Sequence, residues 1–580
     1  MSLSHFARAA YQVLTAPRAG PTLYELADPV LRGPGPGDPH LRKFYATAIG
    51  NPALRPILGR AGLPELADPS RFRALQDALI QARDAAAPDW RAIGQTLAPL
   101  IDAHPRHHPR RGPARSPAEV PSAAHIDELI RACAGHLLGT YRRRGFLPAY
   151  AAFNLAGDPD FHGRDLVTAL EGLQARTYKN STLLFNLARA FINANPGVLA
   201  LVNPPWAGLA EPLWEPVQIR HRSAYYDAFY IEALLDYLGS GLAHGDEGAE
   251  ARRAVDEMVQ FCLRTSREQV PDPGGEGTFD VVTALAPFPH AELSPFFPRV
   301  KSDLGFGLYV PDCDTTACAV SAATQAGAAD PLLDQPLIDF YRGYQVGSSN
   351  RHPPTVAIND TAEFHGGVVT WIENLGGDCP YGNDLDPTLN LDVLEVTFRN
   401  LDRWRVLEDP ARLDTVRRIV AFQRRLVESG AFRDPRSHIY YLPELYSAYF
   451  GRLYAVWSAL PEAARAAVDP DGSLPLIRER VLAYVRDDLM AAEMNPFDAA
   501  LALLALAKLG AGPDSFAPAL AVIAESFGEG PGRAPYKAYE WNKMKTPTRI
   551  VVGGPEVTSA FVLSALVHAR RRLDGGAGAA

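Results

Sequence analysis

Apolar positions recur every three or four residues along most of this chain, and Pro/Gly-rich stretches cut the pattern into short segments. The period predicts helices over Phe72–Arg83, Ser181–Phe191 and Tyr226–Leu235. In the last ~280 residues it predicts helices over Asp414–Val427, Leu445–Ala459, Leu474–Met490, Phe497–Leu509, Phe516–Phe527 and Glu556–Arg570. No series of apolar strands alternates with these helices, so a parallel sheet is not expected. The predicted class is all-α. Six helical hairpins close into an α/α barrel of about the size of the C-terminal half, which would pack against a second, barrel-like helical region.

Punctuation divides the chain into four parts. Residues 1–103 form an N-terminal helical segment. Residues 104–122 (His104-Pro-Arg-His-His-Pro-Arg-Arg onward) form a Pro/Arg/His-rich linker whose composition disfavours regular structure. Residues 123–298 form a helical partner domain, with Pro271 to Pro298 reading as irregular. Residues 299–580 form the barrel.

Composition narrows the function classes. With 580 residues, 47% of them hydrophobic, the chain can bury a large core. A net charge of −9 argues against broad nucleic-acid binding. Of the basic residues fifty are Arg and seven Lys, a bias read first as genomic base composition. Five cysteines without metal-ligand spacing point to a reduced compartment. The start lacks a basic region followed by an apolar core, and no run approaches the ~18 apolar residues of a spanning helix. A cytoplasmic protein with no integral membrane segment is expected.

The most informative segment is Val310-Pro311-Asp312-Cys313-Asp314-Thr315-Thr316-Ala317. Proline, acids and hydroxyls followed by small apolar residues read as a helix start, and capping alone would explain them. The segment also resembles the D-x-D-D-T-A signature of class II terpene cyclases, in the D-x-D-T-T variant of bacterial drimane-type, labdane-type and meroterpenoid cyclases. The resemblance implies that Asp314 protonates a carbon–carbon double bond of a linear isoprenoid, with Asp312 as its electrostatic partner and Thr315 and Thr316 as motif support. Weaker likenesses follow in the family's order: Thr370-Trp371, Asn383 to Pro387, Asn390-Leu-Asp-Val-Leu394, Tyr440 to Tyr446, and Gly553 to Leu566. The Q-x-x-x-G-x-W repeats of squalene–hopene cyclases are absent, which favours a substrate shorter than squalene.

Paired acids suit this chemistry. An alkene is a very weak base, so its donor must stay protonated near neutral pH, and burial beside a second carboxyl does that. The helix start pulls the other way, and a charged Asp312 beside a neutral Asp314 would reconcile the two effects. The resemblance implies an amide or imidazole that orients the acid, for which Asn390 matches best, ahead of Asn359 and His365. Aromatic faces would guide the cation: Trp371 and Tyr441 first, then Tyr440, Tyr446, Trp457, Phe497 and Trp541. A diphosphate substrate would bring Mg²⁺ and need cationic residues at the cavity mouth, such as Lys179, Arg220, Arg222 or Lys301, though no spacing singles them out. Metal ligands, the terminating base and the oligomeric state are not legible. Asp487-Asp488 lacks the spacing for class I ionisation and reads as a solvated helix face.

The expected reaction converts farnesyl or geranylgeranyl diphosphate into a bicyclic diphosphate. Three other readings stand beside it: a cyclase of a non-diphosphate isoprenoid or meroterpenoid, a non-catalytic barrel, and a carbohydrate-active barrel. Asp312-x-Asp314-x-Thr316 with Gly377-Asp378 and Asp384 also fits a haloacid-dehalogenase-like phosphatase. That mechanism needs a lysine between its acidic motifs, and none occurs between Lys301 and Lys508.

Overall fold

The computed structural model describes residues 121–153, 218–283 except 276, 311–347, 365–372 except 371, 385–433, 438, 441–528 except 493, 530, 534–536, 540–544 and 550–577. The segment expected over 1–103, nearly all of the expected linker and the helix expected at Ser181–Phe191 lie outside the described residues.

The helices are α1 (Ala123–Arg144), α2 (Ala224–Leu238), α3 (Gly245–Gln260), α4 (Cys313–Gln325), α5 (Leu337–Gly343), α6 (Pro387–Arg399), α7 (Pro410–Ser429), α8 (Pro443–Ser458), α9 (Glu462–Val468), α10 (Ser473–Tyr484), α11 (Pro496–Lys508), α12 (Ala517–Glu525) and α13 (Pro555–Ala577). Several starts share one device. Asp386, Asp409 and Asn495 each accept a backbone N–H with the side chain, and each is followed by proline at the first helical position. The acceptor satisfies an orphan donor of the first turn, and proline presets the helical φ where it has no N–H to lose. At the other end of α7, Gly430 (φ 80°) takes the left-handed conformation that stops the helix.

Composition sorts these helices into two layers. In α4 every residue from Cys313 to Ala323 is buried, and in α6 every residue from Pro387 to Phe398. A helix covered all round must lie inside the molecule. By contrast α3 buries one stripe (Ala251, Ala254, Val255, Met258 and Val259), and α7 buries Thr415, Val416, Ile419, Val420, Phe422, Gln423, Leu426 and Val427. Such amphipathic helices sit outside with one face wet. Pairwise packing follows this division. The inner helices run α2, α4, α6, α8, α11, α13, each packed against the next, and α13 packs back against α2. Outer helices lean on this circuit: α3 on α2, α5 and α7 on α6, α10 on α7 and α8, α12 on α11, and α1 on α13.

The fold is mostly helical, as expected, but strands occur that the sequence reading lacked. Strands β1 (Ala149–Phe153), β2 (Gln218–His221), β5 (Glu540–Met544) and β6 (Ile550–Gly553) form an antiparallel sheet in the order β2-β1-β6-β5. Strands β3 (Arg267–Pro271) and β4 (Thr278–Val282) form a hairpin that runs into the stretch expected to be irregular from Pro271. Each is only four or five residues long, too short for a period of two to register in the sequence. The sheet pairs β1 with β6, and α2 closes the helical circuit. Elements from both sides of the boundary expected near residue 298 therefore share one sheet and one apolar core. No described helix is long and apolar enough to cross a membrane.

Candidate active site

Asp312 caps α4 from an extended conformation (φ −131°, ψ 156°), and its carboxylate accepts the Thr315 N–H at 2.7 Å. Asp314, in the first turn, accepts the same N–H through Oδ1 at 2.9 Å. The two carboxyls thus meet on one N–H donor. Both are buried, Asp312 at 5% exposure and Asp314 at 8%, so neither faces bulk water. Burial pushes the Asp312 carboxyl well above the usual carboxylate range, and the charge of Asp314 adds to this, while the Thr315 N–H opposes it. Burial and the neighbouring carboxyl thus drive Asp312 toward its neutral form.

The motif is fastened from three sides. Thr316 donates its hydroxyl to Val282 O (3.1 Å) and accepts the Val282 N–H (3.1 Å), pinning β4 to the start of α4. Cys313 N–H reaches Thr370 O (2.8 Å) and Ile372 N–H reaches Pro311 O (3.0 Å), so the 370–372 segment runs alongside the motif. Tyr341 on α5 donates to Cys313 O at 3.2 Å.

The group that contacts Asp314 is a phenol. Tyr441 donates its hydroxyl to Asp314 Oδ2, and Tyr225 on α2 donates in turn to the Tyr441 oxygen at 2.5 Å. Tyr449 on α8 shares a hydrogen bond with Tyr225 at 3.0 Å. Around these oxygens lies an aromatic core. Tyr225 meets Phe229 edge to face (5.2 Å between ring centroids), Phe229 stacks on Phe561 (5.4 Å), and Phe561 meets Phe497 edge to face (5.3 Å).

Beneath the aromatic core is a buried ion cluster. Arg452 bonds Glu232 (2.6 Å) and Asp392 (3.3 Å), lies 3.2 Å from Glu395, and sits 5.1 Å from the ring centroids of both Phe229 and Tyr449. Glu395 is held further by Arg399 at 2.9 Å and by the Ser321 hydroxyl at 3.3 Å. Burial raises Glu395, but Arg452 and Arg399 more than offset it and hold its carboxyl below the usual range. Burial pushes Asp392 well above that range despite Arg452, and its second oxygen has no hydrogen-bond partner among the described residues.

No protein-family model matches this chain, and no curated protein matches it significantly. Its chemistry must therefore be argued from these residues.

The site residues expected from sequence distribute unevenly. Asp312, Asp314, Thr315, Thr316 and Tyr441 come together, and Phe497 joins the aromatic core. Asn390 does not meet the acid: its oxygen accepts the Val368 N–H (2.7 Å), and its amide donates to Val368 O (3.0 Å) and Asp386 O (3.1 Å). With both N–H groups spent on backbone, it clamps the segment around Val368 that flanks the motif and orients nothing at Asp314. His365 is exposed, whereas an orienter must be buried with the acid.

Tyr446 and Trp457 are on α8 but on another face from Tyr449. Tyr446, Phe450, Tyr454 and Trp457 form a ladder at helical spacing. That ladder contacts Gln423 of α7 and Arg478 of α10, so these rings fill the space between layers. Trp371, Tyr440, Asn359, Asp378, Asp384, Lys179 and Lys301 lie outside the described residues, as do the side chains of Arg220 and Trp541. Arg222 bonds Asp227 at 2.7 Å and covers the ring of Phe261. Asp487 is exposed, within a π-helical turn over Val485–Leu489 that ends the helix expected through Met490.

Sequence reasoning missed Tyr225, Tyr449, Phe561 and the ion cluster. A signal existed for the cluster. Arg452 sits in Ser-Ala-Tyr-Phe-Gly-Arg-Leu-Tyr, and Asp392 and Glu395 sit in Leu-Asp-Val-Leu-Glu-Val, each a charge inside an apolar run with no polar face to carry it.

Proposed function

We propose that this chain is a class II terpene cyclase whose inner and outer helices form an α/α barrel, with Asp314 as the acid that starts ring closure. The observation that carries this reading is the buried Asp312–Asp314 pair, which shares one helix-start N–H and accepts a phenol hydroxyl at Asp314. Such a pair keeps a proton at neutral pH, which a helix cap alone does not require. The residues carrying it are those of the D-x-D-T-T resemblance.

The substrate is a linear prenyl diphosphate, farnesyl or geranylgeranyl diphosphate, and the product a cyclic drimane- or labdane-type diphosphate. The pair's proton leaves from Asp314 to an alkene carbon, and the remaining double bonds attack the cation in turn. Charge left on the carboxyls is stabilised by the Thr315 N–H, the positive end of α4 and the Tyr441 hydroxyl. Tyr441 takes the orienting role expected of Asn390. Aromatic faces such as those of Tyr441 and Tyr225 stabilise the cation by roughly 0.5–2 kcal/mol each without reacting with it.

Mg²⁺ would arrive with the substrate diphosphate. No group of three or more His, Cys, Asp or Glu among the described residues is arranged to hold a metal, and no step here depends on one. A carbohydrate-active barrel fits the motif less well. Glycoside hydrolysis needs two carboxyls about 5 Å or more apart on either side of a bond, whereas these two converge on one N–H.

The test is product analysis by gas chromatography–mass spectrometry after incubation with farnesyl or geranylgeranyl diphosphate and Mg²⁺, followed by phosphatase. Wild type should give a cyclic alcohol and Asp314→Asn the linear one. Equal cyclisation by both would remove Asp314 from the role.

A further inference from the structure

Tyr441 stands outside α8: the helix begins at Pro443, and its cap residue, Leu442, makes no side-chain bond to the first turn. The helix therefore does not fix the backbone that carries this phenol. The start of the neighbouring helix α6 supplies the hold. The Asp386 carboxyl caps α6 by accepting the Thr388 N–H through Oδ1 at 2.9 Å, and its Oδ2 accepts the Tyr441 N–H at 3.4 Å. Three residues before Tyr441, His438 meets the Thr388 hydroxyl at 3.5 Å, comes within 3.8 Å of Asp386 Oδ1 and places Nε2 2.7 Å from Phe432 O. Asp386, Thr388 and His438 are each 0% exposed, so water does not compete for these contacts. The anchor is itself tied down: Asn390 donates to Asp386 O (3.1 Å), and Gln423 of α7 donates to Pro387 O (2.9 Å).

Resting on the cyclase reading, we infer that Asp386 is a positioning residue: its carboxyl joins the starts of α6 and α8 and so sets the Tyr441 hydroxyl on Asp314 Oδ2. Capping α6 needs one acceptor, which asparagine supplies about as well as aspartate. The second carboxyl oxygen is what the cap leaves unexplained, and that oxygen is the one on Tyr441. A phenol has only two side-chain torsions before its ring is placed, so a shift of the Tyr441 backbone carries through to its hydroxyl. Misplacing by about 1 Å a group that orients the acid can cost on the order of 100-fold in rate. Asp386 acts through Tyr441 and takes no part in the proton transfer itself.

Asp386→Asn isolates this role, because asparagine keeps an oxygen for the Thr388 N–H while its NH₂ faces the Tyr441 N–H, donor against donor. With whichever of farnesyl and geranylgeranyl diphosphate is accepted, kcat should fall at least ~10-fold with KM little changed. In a Tyr441→Phe background the same substitution should change kcat less than ~2-fold, since the hydroxyl it places is gone. Losses that multiply undiminished, or no loss from Asp386→Asn alone, would overturn the assignment. Should thermal unfolding show Asp386→Asn unfolded, Thr388→Val decides by the same criterion, because it keeps the cap bond and removes only the hydroxyl at His438. A crystal structure of the folded variant reads the placement without activity: the Tyr441 oxygen should have left Asp314 Oδ2, and its retention there would overturn the placement. A wild type that cyclises neither diphosphate would bring down the cyclase reading and leave that structure to decide the placement alone.

Discussion

On the cyclase reading Asp312 has two separable jobs. As a helix cap its oxygen accepts the Thr315 N–H, and asparagine caps a helix about as well as aspartate. As the partner of Asp314 it must carry a carboxyl that can share a proton, which asparagine cannot. Asp312→Asn should therefore keep stability within about 1 kcal/mol of wild type while lowering turnover at least ~100-fold. Denaturant unfolding and product formation measured on the same preparation check this. Unchanged turnover would reduce the pair to a cap. Asn390 gives the opposite lesson at this scale. It lies in a segment singled out by the resemblance, yet its contribution is a backbone clamp at Val368.

Among elements, α8 explains both what was legible and what was not. Its helical period was plain in the sequence, and so were those of α7, α10, α11, α12 and α13, although the far ends of α10 and α13 differ from expectation by six and seven residues. Which face turns inward was not plain, because α8 is aromatic all round: Tyr449 meets the acid's phenols while Tyr446 and Trp457 pack toward the outer layer. Facing is decided by neighbours distant in sequence, and periodicity carries no information about them. The motif itself was legible because its residues are contiguous, whereas Tyr225 was not, because only folding brings it to Tyr441.

The same helix carries Arg452, which compensates Glu232, Asp392 and Glu395 beneath the site. Arg452→Met would leave these acids uncompensated and should cost about 3–5 kcal/mol by denaturant unfolding. Adding Asp392→Asn should recover part of the loss. A loss below ~1 kcal/mol would show that the cluster is not held by this guanidinium.

For the whole molecule, the circuit of inner helices is the main constraint. Helix α2 stands between α4 and α13, and β1 pairs with β6, so the chain before residue 299 supplies a stave and a strand to the part that bears the motif. Residues 299–580 alone would expose the inner faces of α4 and α13. They should show no cooperative thermal unfolding when expressed without the preceding chain, and should regain it when residues 121–298 are supplied in trans. Cooperative unfolding of 299–580 alone would restore the boundary that the sequence suggested.

The central claim is that ring closure begins with a proton from Asp314, and running the reaction in D₂O tests it most directly. Mass spectrometry of the cyclic product should show one solvent-derived deuterium, placed at the carbon protonated first, with both phosphates retained. A cyclic product carrying no deuterium, or one that has lost its diphosphate, would contradict the account.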